Sequence, residues 1–361
     1  MPGQPLYVPI LKGKEGEFAA LETLASDVRN RLAPLIEVPA VPYDYANERP
    51  AKSLDEHVAD IPARLKKCCG DIQFYLDLPW FEAEEHLSDG RTALEAILRG
   101  CEDLGISSVP VISRTNKPDY VAAAGKHISR AGNVACIRLI LKDFEEEVEL
   151  GDEVDRLISG LGLSDATSID LVVDLEDLGK DGRSTLVARS ALSMVPRKEE
   201  WRRIILAAAS FPEDLSDVDA ATIATLPRLE WDLWRALQRR PPLGRVLIFG
   251  DYAIAHPIPK EIDPRTMRMS ANVRYTTQDE WLIVKGRNVR QYGFNQYFEL
   301  SRILVQRPEY SGRDFSWGDE YIADCAEEKR GPGNATTWRK VGVNHHLTLV
   351  ARELSKLRHD V

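Results

Sequence analysis

The chain has few cysteines, few histidines and no long apolar run, and each shortage removes a class of function. Its five cysteines (Cys68, Cys69, Cys101, Cys136 and Cys325) form no CxxC pair and no Cys/His cluster with zinc spacing. An odd, scattered set of this kind reads as reduced thiols rather than a disulfide framework. No stretch of 18 apolar residues occurs, so no bilayer-spanning helix is expected. The opening MPGQPLYVPILKGKEGE has no basic stretch before its apolar run, which argues against a secretory signal and for a cytoplasmic protein. After that run stands LKGKEGE, which matches neither GxGxxG nor GxxxxGK[ST], and no GxSxG nucleophile turn is found. With 43% hydrophobic and 29% charged residues in 361, the composition is that of an ordinary globular protein.

What the chain does have is a rhythm. Eight short apolar runs begin at Tyr7, Leu35, Phe74, Val109, Val134, Ile169, Ile204 and Val246, and several stop at a charged residue. The spacing suits a strand, a helix and two loops, and eight such units close a (β/α)₈ barrel. Between the runs, apolar residues recur at helical spacing: Phe18, Leu21, Ala25, Val28 and Leu32; Leu54, Val58, Ile61 and Leu65; Leu94, Ile97, Leu98 and Cys101; Val154, Leu157, Ile158 and Leu161; Leu229, Leu233 and Leu237. Parallel strands covered by such helices are apolar on both faces, which explains why the runs barely alternate. Prolines such as Pro118 and Pro227 punctuate the loops. An open doubly wound sheet is the competing fold, disfavoured by the count of eight and by the missing phosphate turn.

The barrel is expected over residues 1–255, a proline-rich linker over 256–264 (HPIPKEIDP), and an α+β element over 265–361. Two short strands around TTQDE suggest a hairpin, and Phe294–Val305, Gly318–Glu328 and Asn344–Leu357 read as helices. Residues 265–361 carry 16 Lys and Arg against 12 Asp and Glu, whereas the remainder carries 31 against 45. An acidic body does not favour broad contact with nucleic acid, although a basic tail leaves local phosphate contacts open.

Chemistry in this fold sits where strands end. The strand-end set is Lys12, Glu37, Asp77, Ser113 or Arg114, Arg138, Asp174 and Asp251. Glu37 and Asp77 interrupt apolar runs (PLIEVP and FYLDLP), where an unpaired carboxylate is costly to bury. With Lys12, Arg114 and Arg138 as partners they make either a pocket for an anionic or polyhydroxyl ligand, with a carboxylate as base, or a closed ion-pair network. Glu37, Asp77 and Asp174 are also oxygen ligands suited to a hard cation, but neighbouring cations compete for them and no strand-end histidine offers a zinc site. A Schiff-base role for Lys12 is weaker than a salt bridge there. DLEDLGKDGR (Asp174–Arg183) lacks the spacing of an EF-hand and reads as a solvated loop. A second locus is WRKVGVNHHLT (Trp338–Thr348): Asn344 fits a helix N-cap, placing His345 and His346 in the first turn, where with Arg339 and Lys340 they suit a phosphate facing the mouth.

YVPILKGKEGEF, APLIEVPAVP and FYLDLPW, together with WGDEYI and TTWRKVGVNHHLT near the other end, resemble the Beta protein family, named after a T-even phage protein. The resemblance implies a setting rather than a reaction. Related sequences occur in bacteria and phages, which points to phage–host conflict, and no catalytic residue is carried over. Two functions follow as expectations. One is a barrel binding a nucleotide-like or phosphorylated ligand, with Glu37, Asp77 and Asp174 as bases or ligands. The other is a non-enzymatic module that binds a partner protein or nucleic acid through the basic, aromatic C-terminal region.

Overall fold

Each of the eight apolar runs becomes one strand of a closed parallel barrel in the computed structural model, which describes residues 6–81, 85–132, 134–145, 149–179, 185–258 and 269–359. The barrel strands are β1 (Tyr7–Leu11), β2 (Leu35–Glu37), β3 (Phe74–Asp77), β4 (Ser108–Ile112), β5 (Ala135–Ile140), β6 (Ile169–Asp177) and β7 (Arg203–Ala209). After an outer strand, β8 (Thr222–Pro227), the eighth barrel strand is β9 (Ile248–Asp251), which pairs with β1 from Tyr7 opposite Phe249. Closure disposes of the open-sheet alternative. Along the way run α1 (Glu15–Glu22), α2 (Leu54–Cys69), α3 (Ala93–Asp103), α4 (Pro118–Ala131), α5 (Leu150–Gly160), α6 (Thr185–Met194) and α7 (Leu229–Gln238).

Two local readings change. The stripe from Phe18 to Leu32 is not one helix: α1 ends at Glu22, and a separate four-residue helix spans Ser26–Arg29. The Thr23 hydroxyl turns back onto the carbonyls of Ala19 and Ala20 at 3.0 and 3.3 Å, where the chain leaves α1. Pro118 opens α4 instead of breaking a loop, at a position where its missing N–H costs nothing.

The hairpin around TTQDE forms as β10 (Ser270–Thr276) and β11 (Glu280–Asn288), and β11 also pairs antiparallel with β8. A strand from between β7 and α7 thus completes the outer sheet. Three helices of ten residues or more follow: α8 (Gln296–Val305), α9 (Trp317–Ala326) and α10 (Ala335–His359). Val343, Leu347, Val350, Ala351 and Leu354 lie at helical spacing on α10 and join the apolar core outside the barrel wall. This helix lies on α1 and β1. It fills the place of the eighth barrel helix, which the end of the chain therefore supplies. Of the linker, 259–264 lies outside the described residues, as do 180–183 of the DLEDLGKDGR stretch.

Inside the barrel, Val8, Ile10, Leu35, Val109, Val111, Cys136, Val172 and Ile205 form an apolar plug. Below it, Asp170 is closed off by the Tyr75 hydroxyl at 2.6 Å and Arg202 Nε at 2.8 Å. Above it lies the mouth.

Candidate functional site at the barrel mouth

Strand alternation decides which charges enter the mouth. On β2 the inward residues are Leu35 and Glu37, on β3 Tyr75 and Asp77, on β5 Cys136 and Arg138, and on β6 Val172 and Asp174. Beyond β1 and β9 the next inward positions are Lys12 and Tyr252. Of these side chains, Glu37, Asp77, Asp174 and Tyr252 meet around the Arg138 guanidinium, and Lys12 joins through Glu37. Arg138 Nη1 donates to Glu37 Oε1 at 2.8 Å and to Asp77 Oδ2 at 2.7 Å. Its Nε and Nη2 donate to Asp174 Oδ2 at 3.0 and 2.6 Å, and Nη2 also reaches the Tyr252 hydroxyl at 2.7 Å. Tyr252 in turn donates to Asp174 at 2.5 Å. Lys12 Nζ donates to Glu37 Oε2 at 2.5 Å and to the Pro257 carbonyl, and lies over the Tyr252 and Trp80 rings. An ammonium held by so many partners is poorly placed for Schiff-base chemistry.

The cluster is paired, yet it is not sealed. Glu37, Asp77, Arg138 and Tyr252 form the floor of a 410 Å³ cavity walled by Trp80, Phe81 and Tyr120 and rimmed by Ser113, Arg114, Asn116 and Lys117. Asp174 lies behind, fully buried. Each of the three carboxylates gives one oxygen to Arg138, and among the described residues no trio of His, Cys, Asp or Glu is placed to hold a metal.

Burial lifts the Asp77 carboxyl to about 6, Arg138 opposing the rise and Glu37 adding to it. A carboxyl whose folded pKa is raised binds its proton more tightly in the native state. Its contribution to stability is therefore full below about pH 4 and is lost as pH rises through 6. Between pH 5 and 7 this amounts to about 1 kcal/mol. We expect Asp77→Asn to remove that slope from urea unfolding measured across the interval; an unchanged slope would assign the titration elsewhere.

Several expected site residues are not at the floor of the mouth. Arg114 reaches the rim, where it is paired with Asp143 at 3.0 Å, and Ser113 lies beside it. Asp251 points outward, because it is one residue out of phase with Tyr252. Its carboxylate accepts from the Tyr7 hydroxyl at 2.5 Å and His346 Nε2 at 2.9 Å, while the Thr276 hydroxyl reaches His346 Nδ1 at 2.9 Å. Burial lowers the His346 pKa. A neutral ring with its proton on Nε2 satisfies the whole chain of bonds. Asn344 is no N-cap: it sits in the middle of α10, donating to the Ala20 carbonyl at 3.1 Å and accepting from Gly318 N at 3.0 Å. His345 is fully buried, stacked on Tyr275 and bonded to Asp319 at 2.8 Å. Asn344, His345 and His346 thus join α10 to its neighbours, and no helix start faces a phosphate there. Arg339 lies on a different cavity, with Glu17 at 3.5 Å.

The sequence matches the Beta protein family over residues 7–352, nearly its whole length. The chain belongs to the Beta protein family. No curated protein matches it. Among solved structures it is similar to triosephosphate isomerase from Bartonella henselae (13% identity, 69% of this chain and 92% of that one, TM-score 0.38). It is also similar to 3-hexulose-6-phosphate synthase (15%, 68% and 90%, 0.37) and to type I 3-dehydroquinate dehydratase from Clostridium difficile (13%, 72% and 88%, 0.39). Likeness this distant carries nothing about chemistry; the barrel of this Beta protein family member stands on its own strand pairing. Tyr252 and Trp80 are mouth residues that the sequence reading passed over. Tyr252 directly follows the flagged Asp251 and Trp80 stands three residues beyond the flagged Asp77, and that proximity is the signal that could have found them.

Proposed function

We propose that the barrel mouth binds a small hydroxyl-rich molecule and exchanges a proton with it through Asp77. The supporting observation is that Glu37, Asp77 and Arg138 form the floor of an open cavity with aromatic walls. Carboxylates held rigid by a shared guanidinium accept hydroxyl protons in fixed directions, and ring faces suit the C–H faces of a sugar. Asp77, titrating near 6, can take a proton as carboxylate and return it as acid near neutrality.

A nucleotide-like or phosphorylated ligand, expected at first on Lys12, Arg114 and Arg138, is less well served here. All three cations already hold carboxylates. The cavity is lined by Glu37, Asp77, Glu85, Asp119, Asp143 and Glu176 against Arg114, Lys117 and Arg138, so a dianion meets net repulsion. The recognition-module reading ranks second, since aromatics of the basic C-terminal region pack inward, with Tyr297 stacked on Trp338 at 4.2 Å. The setting proposed for this chemistry, phage–host conflict, rests on the family resemblance alone.

Thermal shifts with neutral sugars and polyols, sugar phosphates, nucleotides and Mg²⁺ test the reading. Neutral polyhydroxyl compounds should stabilise the wild type but not Trp80→Ala or Glu37→Gln, and Asp77→Asn should bind without turnover. Stabilisation by phosphorylated compounds alone, surviving in Glu37→Gln, would overturn it.

A further inference from the structure

A second cavity, of 270 Å³, lies between the start of α1, the turn at Ile254 beyond β9, strand β10 and the first turn of α10. We propose that it is an oxyanion site that takes phosphate or a phosphoryl group through Lys14, Arg274 and Arg339. The inference is independent of the reading of the mouth.

Arg274 carries the argument. Its Nη1 donates to the Ile254 carbonyl at 2.9 Å and its Nε to Asn272 Oδ1 at 3.1 Å, and the guanidinium lies over the Phe211 ring. All these partners are neutral, and no carboxylate among the described residues pairs with it. Lys14 has no ion pair among them either, and Arg339 has only Glu17 at 3.5 Å. Glu15, also at the cavity, is turned to Arg64 at 2.9 Å. Three cations therefore share one opposing carboxylate. Burial and the charge of Arg339 push Arg274 down to about 10 and also lower Lys14. Cations that repel one another in a partly closed space are relieved by a bound anion.

The backbone supports the same reading. The first turns of α1 and α10 both line the cavity, and helix starts favour negative charge. Gly16 lets the two helices close on it: a Cβ there would lie 2.8 Å from the Thr336 carbonyl oxygen and 2.9 Å from Arg339 Cβ. The charged lining of the mouth, by contrast, is mostly carboxylate. The anion expected from the sequence finds its counter-charge in this cavity.

The test is titration calorimetry and thermal shift with inorganic phosphate and with glucose 6-phosphate, against chloride at matched ionic strength and free glucose. Phosphate should stabilise the wild type and Asp77→Asn alike, and Arg274→Met or Lys14→Gln should weaken its binding at least tenfold. Lys14→Gln, which removes a repelling charge and no ion pair, should melt no lower than the wild type when phosphate is absent. Preference for glucose 6-phosphate over phosphate would identify a phosphorylated metabolite as the source, and equal affinity the free ion. Wild-type phosphate affinity in Lys14→Gln, or equal stabilisation by chloride, would overturn the proposal. Should Arg274→Met fail to fold, Lys14→Gln still decides it.

Discussion

A chain ended at Asn334 will not hold a stable barrel. Removing α10 exposes the outer wall of β1 and the flank of α1, and it deletes buried Val343, Leu347, Val350 and Leu354. Each such side chain contributes about 1.5–3 kcal/mol on burial, so the four together are comparable with the roughly 5–15 kcal/mol that holds a typical domain. The polar losses act in the same direction. Without His346, the Asp251 carboxylate keeps, among the described residues, the Tyr7 hydroxyl and the Ala253 amide, and without Asn344 the Gly318 amide loses its acceptor. Circular dichroism and urea unfolding of the 1–334 chain should show no cooperative transition at 25 °C. A transition with the wild-type midpoint would mean instead that the C-terminal element is an appendage on a self-sufficient barrel.

The strands were legible because parallel strands buried on both faces are short continuous apolar runs, and nothing else here produced eight of them at that spacing. Glu37, Asp77 and Asp174 were legible for a related reason: a lone carboxylate in such a run needs a partner. Which face a strand-end residue takes was not legible. VLIFGDY has no alternation to reveal its phase, and a shift of one residue exchanges lumen for outer wall. Asp251, expected in the mouth, therefore faces outward, and Tyr252 takes the inward place. The start of α10 failed differently. An asparagine does cap it, but it is Asn334, which accepts from Thr337 N at 3.0 Å, ten residues before the one chosen. Local cap signals cannot show that Val341 to His346 will be buried by two separate cores. β8 escaped notice because it is largely exposed and reads as a loop until β11 pairs with it.

Arg138→Met will lower the unfolding free energy by about 3–5 kcal/mol at pH 7.5, the usual cost of removing one partner from a buried ion network. The size follows from the arrangement: one guanidinium serves three carboxylates and a tyrosine, and methionine fills its stem without replacing a donor. Glu37 keeps Lys12, whereas Asp77 and Asp174 lose their only cation among the described residues. The pH dependence separates charge from packing. Without the guanidinium, nothing opposes the burial that raises Asp77, and its folded pKa moves further above its unfolded value. The penalty is then present above that folded value and is relieved as falling pH protonates Asp77. The deficit against wild type should shrink by half or more between pH 7.5 and pH 5 in urea unfolding. Adding Asp77→Asn to Arg138→Met should recover part of the loss at pH 7.5, a coupling that a double-mutant cycle reads directly. An equal deficit at both pH values, with no coupling, would make Arg138 a packing residue. The carboxylates facing the cavity would then be organised by something other than the guanidinium, and the fixed acceptor geometry proposed for the mouth would go with it.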